Sequence, residues 1–417
     1  MRNVLLSISA ASVAFASLLL PSTASVVIPS MSPASSDEFA NSVGVDTHFN
    51  YPGTPYTDRF PIVANDLIAL GVRHIRDGGP GYSRPQTLSF LGQRGVMHSL
   101  SFPIDTTAQQ IIGTLNANAP YVDLVEPQNE LDVRSRDHPN WATEWRDEQR
   151  LLYATVRSDP KNFAIKVGGA AVGHYVNAAE LGSLDQYEDV GTMHQYPCDL
   201  NPGDTQANVS LPSAMRFQRQ VNVSKPIWTT EIGYADDLPD GRCALPDSVI
   251  AKYDPRTIAE RWLSGQRRTY FYQFADMGAV HGYDAMGLVN TNGDPKPQYK
   301  ALQSMLRLVT DLGATVRPNP LGYSVTGETD NVAQLLLQKR DKTYLLLLWL
   351  EVPSWDSRSK TPIRVEPQKV TISLSSAPQS VTRYAYATDW TLQKFPMRAA
   401  KAIETTVSDS ISFVEIR

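Results

Sequence analysis

Residues 123–132 read DLVEPQNELD, and this stretch decides the fold. With Tyr121 and Val122 in front of it, the first half has the apolar character of a buried strand. The chain then places Asn129, Glu130 and Asp132 in quick succession. An isolated Asn-Glu pair arises about once by chance in a chain of this length. Its meaning therefore depends on what precedes and follows it.

Outward from this stretch one pattern repeats. Short runs rich in Val, Ile and aromatics end in polar residues or glycine, and amphipathic stretches follow them. Strands are expected at 42–49, 72–79, 96–103, 121–130, 165–173, 190–197, 226–234 and 268–276. Helices are expected between them, as in DRFPIVANDLIALG, where Phe60, Val63, Leu67 and Leu70 recur at helical spacing. Segment 140–157 is similar, and so is 255–266, which places Pro255 near a helix start. A last helix is expected to open at a proline near 297 and to close on Gly313. Eight strands alternating with helices is the plan of a (β/α)8 TIM barrel, here an α/β unit over 41–313. The rival is an open doubly wound sheet, which wants a Gly-rich phosphate turn after its first strand. DTHFNYPGTP (46–55) is not such a turn.

Beyond residue 313 the character changes to strands and turns. NVAQLLLQKRDKTYLLLLWLEV reads as a hairpin about Arg340, Asp341 and Lys342, and QKVTISL, VTRYAYAT and SISFVEIR follow. A C-terminal β-sandwich over 314–417 is expected. Segment 25–40 is Ser/Pro-rich and reads as a linker or as a strand joining that β-domain.

The first 24 residues read as a cleaved signal peptide: Arg2, then a short apolar run broken by serines, then Ser22-Thr23-Ala24. That run falls short of the ~20 residues that span a bilayer, and YLLLLWL (344–350) is shorter still. A secreted protein, extracellular or periplasmic, is expected, with no membrane attachment after cleavage. The net charge of −5 over 417 residues argues against a nucleic-acid surface. Cys198 and Cys243 are the two cysteines. They follow neighbouring strands, so an oxidising compartment allows a disulfide between them, the alternative being two buried thiols. No Cys/His spacing suggests zinc. The sequons at Asn208 and Asn222 are about as many as composition alone yields.

Chemistry in such a barrel collects where the strands end. Glu130 and Glu231 are each read as strand ends, which aims both carboxylates into one bowl. Paired carboxylates across a bond are how most glycosidases cleave it; the bland alternative is two solvated strand ends. Arg76 is placed to hold a carboxylate ionised, and Tyr196 to hydrogen-bond Glu231. His194 shares the facing of Tyr196, and His48 ends the first strand. Tyr82, Trp141, Trp145 and Tyr234 are candidate walls for sugar subsites, with packing an equal role for the two tryptophans.

Asn129-Glu130, TTEIG about Glu231, HQY at 194–196 and Arg76 together resemble clan A of the glycoside hydrolases, a group of retaining (β/α)8 enzymes. GLVNTNGDPKPQYKAL (287–302) is similar to the end of the barrel in family 39 and related bacterial exopolysaccharide hydrolases. The resemblance covers roughly 42–310. It implies Glu130 as general acid/base, Glu231 as nucleophile and Asn129 as donor to the sugar 2-hydroxyl, with Tyr196 and Arg76 orienting the nucleophile. The chain departs from the clan at YFYQFAD (270–276), where many members carry a tryptophan platform. Phe274 or Tyr272 is the candidate substitute.

The expectation is a secreted, monomeric, retaining glycosidase acting on a poly- or oligosaccharide, with neither metal nor organic cofactor. A transglycosylase on the same site differs only in its acceptor. A carbohydrate-binding or wall-associated barrel without catalysis is expected to lack one of the two carboxylates.

Overall fold

The computed structural model describes residues 29–79, 85–237, 243–278 and 285–417. The signal-peptide segment 1–24 and Tyr82 lie outside these residues.

Each of the eight expected runs contains one strand: β1 (Val43–Asp46), β2 (His74–Gly78), β3 (Met97–Ser101), β4 (Val122–Glu126), β5 (Lys166–Val167), β6 (Gly191–His194), β7 (Ile227–Ile232) and β8 (Thr269–Phe271). They form one parallel sheet in the order β5-β4-β3-β2-β1-β8-β7-β6. Its two end strands are joined by a parallel bridge between Gly168 and Val190. The Gly169 N–H bonds to Val190 O at 2.9 Å and the Asp189 N–H to Val167 O at 2.8 Å. Every residue of β1, β6 and β7 is buried, polar ones included, as in a parallel sheet covered on both faces.

The helix Phe60–Leu70 buries Val63, Leu67 and Leu70 and stops at Gly71, whose φ of 91° suits glycine. In the helix Trp141–Arg157, Trp141 and Trp145 are packed into the core beside Leu131 and Val172. Packing, not sugar contact, is their role.

Pro255 does not start a helix. It lies inside the helix Asp247–Leu263, which begins after Pro246. Proline costs a helix interior one hydrogen bond, but 12 of the 17 residues of this helix are buried, Pro255 among them, so tertiary packing overrides the local signal. The helix Pro297–Val309 opens at its expected proline and ends short of Gly313. Among the described residues no helix is long and apolar enough to cross a membrane.

Two antiparallel sheets follow. Strands Val332–Gln338 and Tyr344–Leu350 form the expected hairpin inside a six-stranded sheet with Ser412–Ile416, Val381–Tyr386 and Leu392–Met397. Its last member is the short strand Ala34–Ser35, paired in parallel with Val332–Gln338. Leu321–Gly327, Gln368–Leu374 and Ala402–Val407 form the second sheet, with Ser30–Met31 at its edge. YLLLLWL is apolar throughout because both of its faces are covered. Leu346 and Leu348 meet Ile372 and Ile403 of the other sheet, while Leu345, Leu347 and Trp349 share a core with Leu302 and Met305 of the helix Pro297–Val309.

Candidate active site

The chain beyond β4 answers why an apolar strand should run into DLVEPQNELD. β4 ends at Glu126, not at Glu130. Pro127, Gln128 and Asn129 turn the chain, and Glu130 sits in the left-handed region at φ 43° before a 3-10 turn, Leu131–Arg134. The turn is fastened from both sides. Leu131 is buried, and Asp132 accepts the N–H groups of Gly173 and His174 at 2.9 and 2.8 Å. A Cβ on Gly173 would lie 2.5 Å from Val133 Cγ1 and 3.1 Å from Glu130 Cδ, so the loop after β5 can press against Glu130 only as glycine. Glu231 lies within β7, one residue before its end.

Between these two carboxylates stands a hub of buried charge. Arg76 Nη1 donates to Glu231 Oε1 at 2.7 Å and to Asp46 Oδ1 at 3.2 Å, and Nε donates to Glu126 Oε2 at 3.0 Å. Nη2 donates to Asn129 Oδ1 at 2.7 Å. Tyr196 OH donates to the other Glu231 oxygen, Oε2, at 2.6 Å. His194 Nδ1 lies 2.7 Å from Glu130 Oε1 and 3.6 Å from Glu231 Oε2. Arg76, Asn129, Glu130, His194, Tyr196 and Glu231 therefore form one connected group. Arg76 is mid-strand, and Tyr196 stands two residues past β6. Asp46 and Glu126 were missed as members. Their signal was the arginine itself, because one buried guanidinium facing inward in a barrel calls for several acceptors.

Burial pushes the Glu231 carboxyl up, but the charges of His194 and Arg76 and the hydrogen bond from Tyr196 outweigh it and hold the group below the ordinary carboxylate range. Burial pulls the His194 imidazole down, and the two glutamates more than reverse this. Asp46 goes the other way. Burial, reinforced by the charge of Glu231, keeps its proton on well above the usual range in spite of Arg76. Asp77 is pushed by burial to about 7, although it accepts from Thr47 Oγ1 and the Phe49 N–H. Within the hub, Glu231 is thus pushed toward its ionised form and Asp46 toward its neutral one.

These groups open on a cavity of about 930 Å³ whose lining includes Arg76, Asn129, Glu130, Tyr196, Glu231 and His48. His48 stacks on Tyr51 at 4.6 Å between ring centroids and meets Tyr272 edge-on at 5.4 Å, which makes one wall aromatic. Two expected wall residues lie elsewhere. Tyr234 alternates away from Glu231 and Gly233, packs against Tyr253 and Val249, and donates its hydroxyl to Leu200 O at 3.2 Å. Phe274 is fully buried and packs edge-on against Tyr299, because past β8 its backbone N–H turns back to Asp46 O. Tyr272, not Phe274, faces the cavity. Cys198 and Cys243 form a disulfide, with Cα atoms 4.5 Å apart, and both line the cavity.

Donor atoms of Glu130, His194 and Glu231 lie within 4.8 Å of one another. Three such ligands suit a metal in principle. Here the imidazole is already within hydrogen-bonding distance of Glu130, and Arg76 supplies the positive charge.

No protein-family model matches the chain, and no curated protein matches it in sequence. Solved structures match it in fold. A family 39 glycoside hydrolase from the gut symbiont Bacteroides cellulosilyticus WH2 is 15% identical, with a TM-score of 0.60 over 91% of this chain and 82% of that one. An α-L-arabinofuranosidase from Thermotoga maritima, solved with arabinose, is 12% identical, with a TM-score of 0.58 over 89% and 95% of the two chains. A further arabinofuranosidase structure is 13% identical, with a TM-score of 0.60 over 93% and 98%. The likeness spans both the parallel sheet and the antiparallel sheets, and at these identities it is one of fold.

Proposed function

We propose that the protein is a secreted, retaining glycoside hydrolase acting on a poly- or oligosaccharide, built as a closed (β/α)8 barrel over 41–313 followed by a β-sandwich. The observation that carries this reading is the unequal treatment of two neighbouring glutamates. Arg76, Tyr196 and His194 surround Glu231 and keep it ionised, as an attacking carboxylate needs. Glu130 shares His194, at 2.7 Å, with Glu231, but has no arginine or lysine partner among the described residues and keeps 24% of its side chain exposed at the cavity.

In the first step Glu231 attacks the anomeric carbon and the bond to the leaving oxygen breaks, while Glu130 gives that oxygen its proton. Glu130, now ionised, takes a proton from water, which cleaves the ester to Glu231 with net retention. One oxygen of Glu130 lies within 4.8 Å of one of Glu231, which supports retention, since an inverting pair stands ~6.5–9.5 Å apart to admit water. Asn129, fixed by Arg76, is available to a sugar hydroxyl, and the His48–Tyr51–Tyr272 wall offers apolar faces to a ring.

A panel of 2-deoxy-2-fluoro aryl glycosides tests the proposal. One of them should inactivate the protein by esterifying Glu231, found by peptide mapping, and proton NMR of the matching hydrolysis should show a retained anomer. Labelling of another carboxylate, or an inverted first product, would overturn it.

A further inference from the structure

The loop leaving β6 brings Tyr196 and Cys198 to the cavity and is then held by a residue from the antiparallel sheets. Glu351, directly after strand Tyr344–Leu350, accepts at Oε1 from Asn201 Nδ2 at 2.7 Å and from the Gly203 N–H at 2.8 Å. The same oxygen takes Arg256 Nη2 at 2.6 Å. Oε2 takes Trp349 Nε1 at 2.8 Å and Arg256 Nε at 3.2 Å. The Glu351 side chain is 14% exposed and that of Arg256 is fully buried. A Cβ on Gly203 would lie 2.4 Å from Glu351 Cγ, so the loop backbone comes this close only through glycine.

Arg256 is the cation paired with Glu351, and the pair tolerates burial because both ends are hydrogen-bonded. The Asn201 and Gly203 donors add to the charge balance of Glu351 after Arg256, but they come from the loop. What they fix is the loop. Its other fastenings include the Cys198–Cys243 disulfide, the Tyr234 hydroxyl on Leu200 O and an ion pair of Asp199 with Lys360 at 3.8 Å, and Cys198 and Cys243 are both cavity wall.

We propose that Glu351 is a positioning residue for the cavity: by gripping Asn201 and Gly203 it sets where the wall formed by Cys198 and Cys243 stands. The antiparallel sheets thereby shape the substrate site, an inference that rests on reading this cavity as the sugar site. Loosening the grip lets the wall move. Glu130 and Glu231, fastened by His194 and Arg76, keep their places.

The test uses the full mature chain with Asn201→Ala and Glu351→Gln. Asn201→Ala leaves the Glu351–Arg256 pair intact, so it remains informative if the second variant folds poorly. Hydrogen–deuterium exchange in peptides covering 198–204, which contain the Gly203 amide, should speed up by about tenfold, the usual consequence of losing a hydrogen bond to a charged group. Peptides covering β6 should not change. On the best oligosaccharide of a substrate panel KM should rise by about fivefold or more, while kcat on an aryl glycoside stays within about twofold. Unchanged exchange at 198–204 in both variants would overturn the proposal. So would a loss of protection spread over the whole chain with equal falls in kcat on both substrates. If the unmodified protein cleaves no glycoside, the sugar reading fails, while the exchange measurement still decides whether Glu351 holds the loop.

Discussion

Nη1 of Arg76 stands 2.7 Å from Oε1 of Glu231, and neither side chain is more than 8% exposed. Buried pairs gain little net stability when intact but lose much when one partner goes, because the other charge is stranded. Arg76 also serves Glu126, Asp46 and Asn129, so its removal strands several groups at once. Arg76→Lys keeps the charge and loses the planar fork. We expect it to destabilise the fold by ~3 kcal/mol or more, read from urea unfolding, and to lower kcat/KM at least tenfold. A variant within ~1 kcal/mol of the parent would show that a point charge is enough at this position.

His194 offers a second lever on Glu231. After burial, the charge of His194 is the largest influence on this carboxyl and it acts to lower its pKa. Removing it should let the pKa rise. The ionised nucleophile would then be lost at a higher pH during acidification, so the acid limb of kcat/KM against pH should move upward in His194→Asn. An unmoved limb in a folded variant would mean that Arg76 and Tyr196 hold Glu231 without help.

The eight strands were legible because β-branched and aromatic runs bounded by turns are what a doubly buried parallel sheet requires. Their ends were less so. At β4 the strand ends at Glu126 and the chain turns through Pro127, Gln128 and Asn129, so Glu130, read as the strand end, belongs to the turn. Tyr234 was misassigned through a single step of register: with Glu231 and Gly233 facing the cavity, alternation sends Tyr234 outward. For Phe274 alternation gives no help, because β8 ends at Phe271 and the chain beyond it bends back to β1. Pro255 misled for a general reason. Local preference counts a helix proline as a start, whereas burial of the surrounding helix decides the outcome.

Buried Glu188 yields a prediction about stability against pH. Burial pushes its carboxyl up to about 8, against the Asn222 Nδ2 that donates to Oε2 at 2.6 Å and with help from the neighbouring Asp185 carboxylate. In the unfolded chain the group loses its proton near 4.5. Between these two values the folded state binds the extra proton. This contribution is fully present at low pH and is lost as pH rises toward 8. Glu188→Gln removes the titration, so its melting temperature should fall less than that of the parent from pH 5 to 8, by a difference on the order of a few kcal/mol in stability. Parallel pH curves for the two proteins would contradict the assignment.

The division of labour between Glu130 and Glu231 gives the last prediction. If Glu231 attacks the sugar, Glu231→Gln should abolish turnover on every substrate, since no leaving group replaces a missing nucleophile. Glu130→Ala should behave otherwise. An aryl glycoside with a good leaving group needs little acid assistance, so its first step should survive and produce a burst of phenol. The glycosyl-enzyme would then wait for a base that is gone. Azide needs no deprotonation, so it should restore turnover and leave as a glycosyl azide of retained configuration. Asn129→Ala, which removes a donor already aimed by Arg76, should lower kcat more than it changes KM if its hydrogen bond strengthens in the transition state. Rescue of the Glu231 variant instead, giving an inverted azide, would exchange the two roles. Full activity in either glutamate variant would remove that residue from the mechanism.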